Sequence, residues 1–188
     1  MDFSINTADS LDISDQELSQ LLLQVYVGGG FTELKTARSL LNPAAIRERG
    51  KIIGARDKTE LTLAGIVIVV SPNSSAGRFA HYNESEMHLL GVKTDYRRHG
   101  LGRQLVKSAI DEATQEGYSK MLLWTQSTMN AAHCLYKKSG FVRTNKRDFQ
   151  RNGREFWFYE RALRQQLLKP DTFLVRCAHY KCTGYGRR

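Results

Sequence analysis

Residues 89–105, LLGVKTDYRRHGLGRQL, decide the fold of this chain. The segment leaves a strand-like apolar run, passes through a basic loop and places Gly100 and Gly102 where a helical pattern starts. The first N–H groups of a helix lack partners within the helix, and glycines leave room for a bound group against the backbone. The segment therefore predicts an anion site that suits a phosphorylated ligand.

The spacing of the glycines excludes two classes of phosphate loop. A triphosphate loop needs Gly-x-x-x-x-Gly-Lys-Ser/Thr, which is absent from the sequence. A dinucleotide loop needs a third glycine where this chain has Leu105, and it opens a βαβ unit, whereas several predicted strands precede this loop. From this motif alone, the alternative to an anion site is that Gly100 and Gly102 are ordinary turn glycines without a ligand.

The flanking patterns predict a mixed α and β domain. Ser14 and Glu17 have the spacing of a capping box and start a helical first third that also holds a second helix from about residue 32. Asn130 is predicted as the N-cap of a short helix, and Asn152-Gly153 as a hairpin turn. The predicted strands are KIIGARD (51–57), LTLAGIVIVV (61–70), EMHLLGV (86–92), KMLLWTQ (120–126), one starting at Phe141, and EFWFYE (155–160).

Composition and charge exclude several classes of protein. The 188 residues are 41% apolar and predict one folded domain, and no apolar run approaches the roughly 18–20 residues of a membrane span. The acidic, polar N-terminus is unlike a signal peptide, so we expect a cytoplasmic protein without a membrane partner. Three cysteines without paired spacing argue against a disulfide framework, and Cys177, His179 and Cys182 lack further ligands, so no metal site is expected.

The positive charge is concentrated at the C-terminus. Residues 1–34 carry six acidic and no basic side chains, whereas residues 161–188 carry seven Lys/Arg and one Asp. We therefore divide the chain into a domain over residues 1–163 and a basic C-terminal extension over residues 164–188. A basic tail can bind nucleic acid or the ribosome, but no aromatic-interleaved motif accompanies it, which argues against a nucleic-acid partner.

Two motifs in register resemble the GNAT superfamily of N-acetyltransferases. The pattern Arg-x-x-Gly-x-Gly over residues 97–102 resembles the acyl-CoA loop of that family, and NAAHCLYKKSGF (130–141) resembles its helix ending in Leu-Tyr-x-x-x-Gly-Phe. The resemblance covers about residues 14–163. It implies the GNAT fold, an α+β (α/β/α) sandwich with helices on both faces of a mixed, mostly antiparallel sheet. The sheet would have six to seven strands and a V-shaped splay between strands 4 and 5.

The resemblance implies acetyl-CoA as co-substrate. The amides of residues 98–103 would receive the pyrophosphate, Arg98, Arg103 and Lys107 the 3′-phosphate, and the backbone of strand 4 the pantetheine arm. Many relatives carry Asn seven residues before the tyrosine of the second motif; here that position is Met129, so a CoA contact by Asn130 stays open. The implied CoA-binding set is Leu90, Val92, Arg97, Arg98, His99, Gly100, Leu101, Gly102, Arg103, Asn130 and Tyr136.

Acyl transfer to an amine needs a base, an oxyanion donor and a proton donor for the thiolate. Glu86 stands where relatives carry a glutamate base that acts through water, with Glu84 as alternative and His81 and His88 as weaker candidates. The two-residue period of a strand places Glu86, His88, Leu90 and Val92 on one face. The resemblance makes the Leu90 N–H the oxyanion donor and Tyr136 the general acid.

The sequence analysis therefore predicts an enzyme that moves the acetyl group of acetyl-CoA directly to a primary amine, small molecule or protein. There are two alternatives. The chain could be an acyl-CoA-binding module without catalysis, or a nucleic-acid- or ribosome-associated protein that binds through its basic tail. The acceptor is not readable, because the segments that would contact it, residues 27–31 and 71–84, have little pattern. The resemblance also allows a homodimer.

Overall fold

The computed structural model describes residues 1–163, so the predicted basic extension, with Cys177, His179 and Cys182, lies outside the described residues. Five α-helices, seven strands, a π-helical turn and a 3₁₀ turn make up the fold. In chain order they are β1 (Phe3–Thr7), α1 (Asp15–Leu22), the π-helical turn (Leu23–Val27), α2 (Leu34–Leu40), α3 (Pro43–Arg49), β2 (Lys51–Asp57), β3 (Leu63–Val70), β4 (Glu84–Val92), the 3₁₀ turn (Thr94–Tyr96), α4 (Leu101–Gln115), β5 (Lys120–Gln126), α5 (Asn130–Lys138), β6 (Val142–Arg151) and β7 (Arg154–Ala162).

One sheet holds all seven strands in the order β1-β2-β3-β4-β5-β7-β6, and every neighbouring pair is antiparallel except β4–β5. β4 and β5 pair only where Glu84–Glu86 face Lys120–Leu122. Beyond this point both strands continue without pairing to each other. The predicted fold class and the splay between strands 4 and 5 are thus confirmed. The N-terminal strand β1 was not predicted, because its sequence FSINT is short and mostly polar.

Helices cover both faces of the sheet. α4 buries Leu105, Val106 and Ala109 in one core, which it shares with α5 and with side chains of β2 to β5 and β7. α1, α2 and α3 close a second core on the opposite face, over β2 and β3. Within the described residues, no helix is both long and apolar enough to cross a membrane.

Local sequence signals set the helix ends. The Ser14 hydroxyl accepts from the Glu17 N–H while the Glu17 side chain accepts from the Ser14 N–H, so the predicted capping box is confirmed. The predicted N-cap at Asn130 is wrong. Asn130 is the first residue of α5, the N-cap is Met129, and neither supplies a side-chain cap. The chain already turns at residues 126–129, where the Met129 N–H donates to the Gln126 carbonyl.

A β-bulge interrupts β4. Ile66 and Ile68 of β3 pair with Gly91 and His88, so two residues of β4 stand opposite one of β3, and Leu89 has φ 49°. A bulge reverses the alternation of side chains along a strand. Glu86, His88, Leu90 and Val92 therefore do not share one face, contrary to the prediction from strict alternation. Glu86 and His88 lie on the face of α1, whereas Leu90 and Val92 pack with α4.

We expect Leu105→Ala to destabilise the domain by about 2–5 kcal/mol, because it removes a fully buried side chain of α4 and leaves a cavity against the sheet. Urea unfolding of the variant measures the change. Gln104→Ala, at the neighbouring exposed position of α4, is the control and should change the free energy of unfolding by less than about 0.5 kcal/mol. Equal effects of the two substitutions would contradict the assignment of this helix face to the core.

Candidate functional site

The glycine loop presents unpaired backbone N–H groups at the start of α4. Arg98 and Gly100 both have left-handed backbone, with φ of 65° and 78°. Within residues 1–163 the N–H groups of residues 98–102 make no hydrogen bond, whereas the Arg103 N–H donates to the Gly100 carbonyl at 3.0 Å. Successive free N–H groups at a helix start bind an anion well. Five of the six predicted amide donors are therefore free to do so.

The side chains around this loop divide into bound and free groups. Arg98, His99 and Arg103 are exposed. The Arg97 Nε donates to the Val92 carbonyl at 3.0 Å and fixes the loop to the end of β4. Lys107, predicted for the 3′-phosphate, already pairs with Asp111 one turn along α4. The exposed arginines are thus the better candidates for a phosphate.

Two tyrosines approach the opening between β4 and β5 from opposite faces of the sheet. The Tyr26 hydroxyl, from the π-helical turn, donates to the Leu90 carbonyl at 3.2 Å. Tyr136, from α5, is buried against Phe141 and Tyr159, and its hydroxyl makes no hydrogen bond within residues 1–163. Burial raises the pKa of both phenols above the usual value, and Tyr136 raises that of Tyr26 further. Both hydroxyls therefore stay protonated at neutral pH.

The bulge places Leu90 outside the regular pairing of β3 with β4. Leu89 and Leu90 together face the single residue Val67, and a bulge leaves one such residue without its ladder partner. Past residue 86 the other edge of β4 has no pairing with β5 either. The backbone of Leu90 and Val92 thus borders an opening that can accept an extended chain.

Glu86 is completely buried, and both of its oxygens are engaged. Oε1 accepts from the backbone N–H groups of Arg78, Phe79 and Ala80 at 2.5–2.9 Å, and Oε2 lies 2.7 Å from the Nε2 of His88. Burial opposes ionisation, but these hydrogen bonds outweigh it and hold the pKa of Glu86 below its usual value. Glu86 is therefore an ionised anchor for the loop over residues 71–83.

His88 connects this carboxylate to the interior of the site. Burial lowers the pKa of His88 below its usual value, although the hydrogen bond to Glu86 opposes that change. The ring lies 4.7 Å from the ring of Trp124, centroid to centroid. A neutral His88 beside an ionised Glu86 donates its Nε2–H to the carboxylate, which leaves Nδ1 as an acceptor.

The remaining predicted residues are less well placed. Glu84 is buried, accepts from the His81 N–H and pairs with the partly exposed Lys120 and Arg147 at 3.4 and 3.7 Å, so its carboxylate is already engaged. His81 is exposed. Asn130 is exposed at the start of α5. Within residues 1–163 no cluster of three or more potential ligands could hold a metal ion.

Tyr26 and Trp124 were not predicted as site residues. Tyr26 reaches β4 because a π-helical turn follows α1, and nothing in the sequence marks that turn except the three glycines after it. Trp124 lies in an apolar strand, where the sequence pattern predicts a core residue. Only the splay of β4 from β5 brings these side chains to a common opening.

Comparison with known proteins gives one family. The model of the acetyltransferase (GNAT) family matches residues 16–141. Among curated proteins, the chain is similar to N-acetyltransferase family 8 member 3 of Rattus norvegicus, with 36% identity over 31% of this chain and 26% of that protein. It is also similar to N-alpha-acetyltransferase 30 of Saccharomyces cerevisiae, with 38% identity over 29% of this chain and 31% of that protein. The matched segments thus span about a quarter to a third of these relatives.

Solved structures share the fold over nearly the whole described chain. An acetyltransferase of Bacillus subtilis in complex with CoA superposes with a TM-score of 0.61 and 21% identity, covering 87% of this chain and all of that one. A putative acetyltransferase of Acinetobacter baylyi gives a TM-score of 0.67 at 19% identity, covering 90% of this chain and 97% of that one. At these identities the likeness shows the fold alone.

We expect Glu86→Gln to lower the free energy of unfolding at pH 7 by about 1–3 kcal/mol, because it removes the charge that strengthens four hydrogen bonds. Since the native pKa of Glu86 is lowered, this contribution is present above the pKa of the unfolded chain and is lost as the pH falls below it. The difference between wild type and variant should therefore shrink from pH 7 to pH 3. Urea unfolding at several pH values measures it, with the exposed Glu116→Gln as control; a constant difference would contradict an ionised Glu86.

Proposed function

Because the chain belongs to the GNAT family of acetyltransferases, we propose that it is an N-acetyltransferase that moves the acetyl group of acetyl-CoA directly to a primary amine. One observation carries the proposal. The parting of β4 from β5 leaves the bulged backbone at Leu90 open beside the Glu86–His88 pair, Tyr136 packs in the core on the other face, and the free N–H groups before α4 lie at the end of the same strand. These groups match the demands of acyl transfer to an amine.

The residues present fit acetyl-CoA. The N–H groups of residues 98–102 suit the pyrophosphate, and the exposed Arg98 and Arg103 suit the 3′-phosphate. The edge of β4 at Leu90 and Val92, which does not pair with β5, suits the peptide-like pantetheine arm, which would add to the sheet as a strand does. The close packing of Gly102 supports the loop geometry, since a Cβ there would lie 3.3 Å from Leu135 of α5. When bound, acetyl-CoA supplies the acetyl thioester.

We assign the base to Glu86 and His88 acting together. An amine must lose a proton around its attack, and an alkyl amine has a pKa near 10.4. Glu86 itself has no exposed surface, so it cannot reach a substrate. His88, held by its Nε2–H···Oε2 bond to Glu86, offers Nδ1 to the amine or to a bridging water, and Glu86 stabilises the imidazolium that results.

We assign the oxyanion donor and the proton donor for the thiolate to Leu90 and Tyr136. The N–H of Leu90, in the bulge, is the proposed donor to the oxyanion. The Tyr136 hydroxyl has no partner within residues 1–163 and remains protonated, so it is the proposed donor to the departing thiolate. This arrangement needs no covalent acetyl-enzyme, and Cys134, exposed on α5, is given no part in it.

A second candidate is a CoA-binding module without catalysis. The full engagement of both Glu86 oxygens favours it, because this carboxylate would serve equally well as a purely structural anchor. Release of free CoA in the presence of a panel of amines, above the rate of hydrolysis without amine, decides between the two. Binding of acetyl-CoA without any amine-dependent release would support the module.

We expect Tyr136→Phe to lower kcat by about 10²-fold with little change in the KM for acetyl-CoA, because it removes a proton donor but keeps the buried ring. Steady-state CoA release with a good acceptor measures both constants. Tyr118→Phe, at a tyrosine on the far side of the α4 core, is the control and should leave kcat unchanged. A fully active Tyr136→Phe enzyme would contradict the assigned role.

We expect Arg98→Ala with Arg103→Ala to raise the KM for acetyl-CoA about tenfold, because two charge-assisted contacts to the 3′-phosphate are lost. The double variant should also lose the preference of the wild type for acetyl-CoA over acetyl-3′-dephospho-CoA. Lys35→Ala with Arg38→Ala, on exposed parts of α2, removes the same charge and is the control. If the control raises the KM equally, the effect comes from net charge and not from the loop.

A further inference from the structure

An aromatic strip extends from His88 across β5, β7 and β6. It consists of Trp124, Phe158, Phe156 and Phe149, with Phe79 from the loop over residues 71–83. The rings are in contact, with centroids 5.1 Å apart for Phe79 and Trp124, 5.6 Å for Phe79 and Phe149, 5.9 Å for Trp124 and Phe158, and 4.9 Å for Phe149 and Phe156. All but Phe158 are partly exposed. The helices on this face pack over β2 and β3, so the strip forms a floor that starts at His88 and that no helix within residues 1–163 covers.

Two anchored segments flank this floor. The loop over residues 71–83 is fixed by the three N–H groups that donate to Glu86. On the other side, the Phe31 carbonyl accepts from the Gln126 side chain at 2.8 Å and from Arg154. The segments that the sequence analysis expected to contact the acceptor are therefore those that border the aromatic strip, and the strip is continuous with the proposed base.

Three carboxylates near the strip, those of Glu84, Glu86 and Asp148, are already bound. Glu86 accepts four hydrogen bonds. Glu84 pairs with Lys120 and Arg147, and Asp148 accepts from Arg143 and from the Phe158 N–H. An acceptor with a second ammonium group would thus find no free carboxylate in this set, which argues against polyamines and lysine-rich peptides.

Two arginines on the α3 side of His88 have no carboxylate partner within residues 1–163. Arg49 is half-buried, and its guanidinium makes one hydrogen bond, to the Leu40 carbonyl at 2.7 Å. Arg78 lies at the rim, on the loop that Glu86 holds. The Ser74 hydroxyl, on the same loop as Arg78, donates to the Arg49 carbonyl at 2.7 Å, so the end of α3 is joined to the loop that Glu86 and His88 hold. Consistent with this proximity, burial and the charge of Arg78 lower the pKa of Arg49, and both arginines help to lower that of His88. An anion placed among them would relieve this repulsion.

We propose that the acetyl acceptor is a primary amine that carries both a large apolar or aromatic group and a carboxylate, as an aromatic amino acid does. The apolar group would lie on the aromatic strip, and the carboxylate would pair with Arg49 and Arg78. This inference rests on the proposed acetyl transfer and names the substrate class of the same site.

A matched panel of acceptors tests the inference: L-phenylalanine, L-phenylalaninamide, phenethylamine, L-alanine and spermidine. Loss of a charge-assisted pair corresponds to about 10–100-fold in a rate or binding constant. We therefore expect kcat/KM, measured as CoA release, to be at least tenfold higher for L-phenylalanine than for each other compound. Equal or higher values for phenylalaninamide or spermidine would overturn the proposed acceptor class while leaving the acetyl transfer intact.

Two variants locate the contacts. Arg49→Gln should lower kcat/KM for L-phenylalanine at least tenfold more than that for phenethylamine, because only the former has a carboxylate. Trp124→Leu should lower the preference for L-phenylalanine over L-alanine. Arg38→Gln, an exposed arginine of α2, is the matched control and should change neither ratio. An Arg49→Gln enzyme with the wild-type preference for L-phenylalanine over phenethylamine would refute the assigned carboxylate contact.

Binding separates this inference from the acetyl transfer on which it rests. If no amine is acetylated, calorimetric titration of L-phenylalanine and of phenylalaninamide into the protein with CoA still gives a result. Tighter binding of L-phenylalanine would support the ligand class although the proposed reaction fails. Equal binding, or none, would overturn the ligand class.

Discussion

The separation of β4 from β5 is the constraint on which the rest of the structure depends. The two strands are parallel neighbours for three residue pairs and then part, and in the same stretch β4 bulges at Leu89 and Leu90. An unpaired strand edge inside a domain costs free energy unless something satisfies its N–H and C=O groups. Tyr26 and Arg97 satisfy two of them, at the carbonyls of Leu90 and Val92, and the rest of the edge is left for a ligand. The opening is thus a stretch of β4 whose backbone groups on the side of β5 lack hydrogen-bond partners in the sheet.

Glu86 maintains this gap from one end. It is the last residue of β4 that pairs with β5, and its carboxylate collects three backbone N–H groups of the preceding loop. A buried charge is tolerated only when it is well hydrogen-bonded, so the loop must close in this arrangement for Glu86 to remain ionised. The same bonds hold Phe79 over Trp124 and direct His88 toward the opening. One side chain therefore couples the position of the loop over residues 71–83 to the orientation of the imidazole.

The sequence predicted those parts of the site that depend on local pattern. The glycine loop, the helix after it and the tyrosine of NAAHCLYKKSGF are encoded within short segments, and the mixed sheet with its splay between strands 4 and 5 followed from the resemblance. The face assignment of β4 failed because the bulge puts Leu89 in left-handed backbone, and a leucine within an apolar strand gives no sign of that. The capping role of Asn130 failed because the chain turns one residue earlier. Tyr26 and Arg49 were missed because they come from separate helices whose meeting point depends on tertiary packing.

The distribution of charge explains why the co-substrate is easier to read from the sequence than the acceptor. The positive residues of RRHGLGR (97–103) are close together in the sequence and exposed. The motif itself therefore indicates a phosphate group as their partner. The charges beside His88 come from positions 49 and 78, which are 29 residues apart, and each looks like a surface arginine on its own. The two arginines indicate a carboxylate site only once the structure shows that Glu84, Glu86 and Asp148 already have other partners. The acceptor site that we propose therefore depends on which charges lack a partner, and that property exists only in the folded chain.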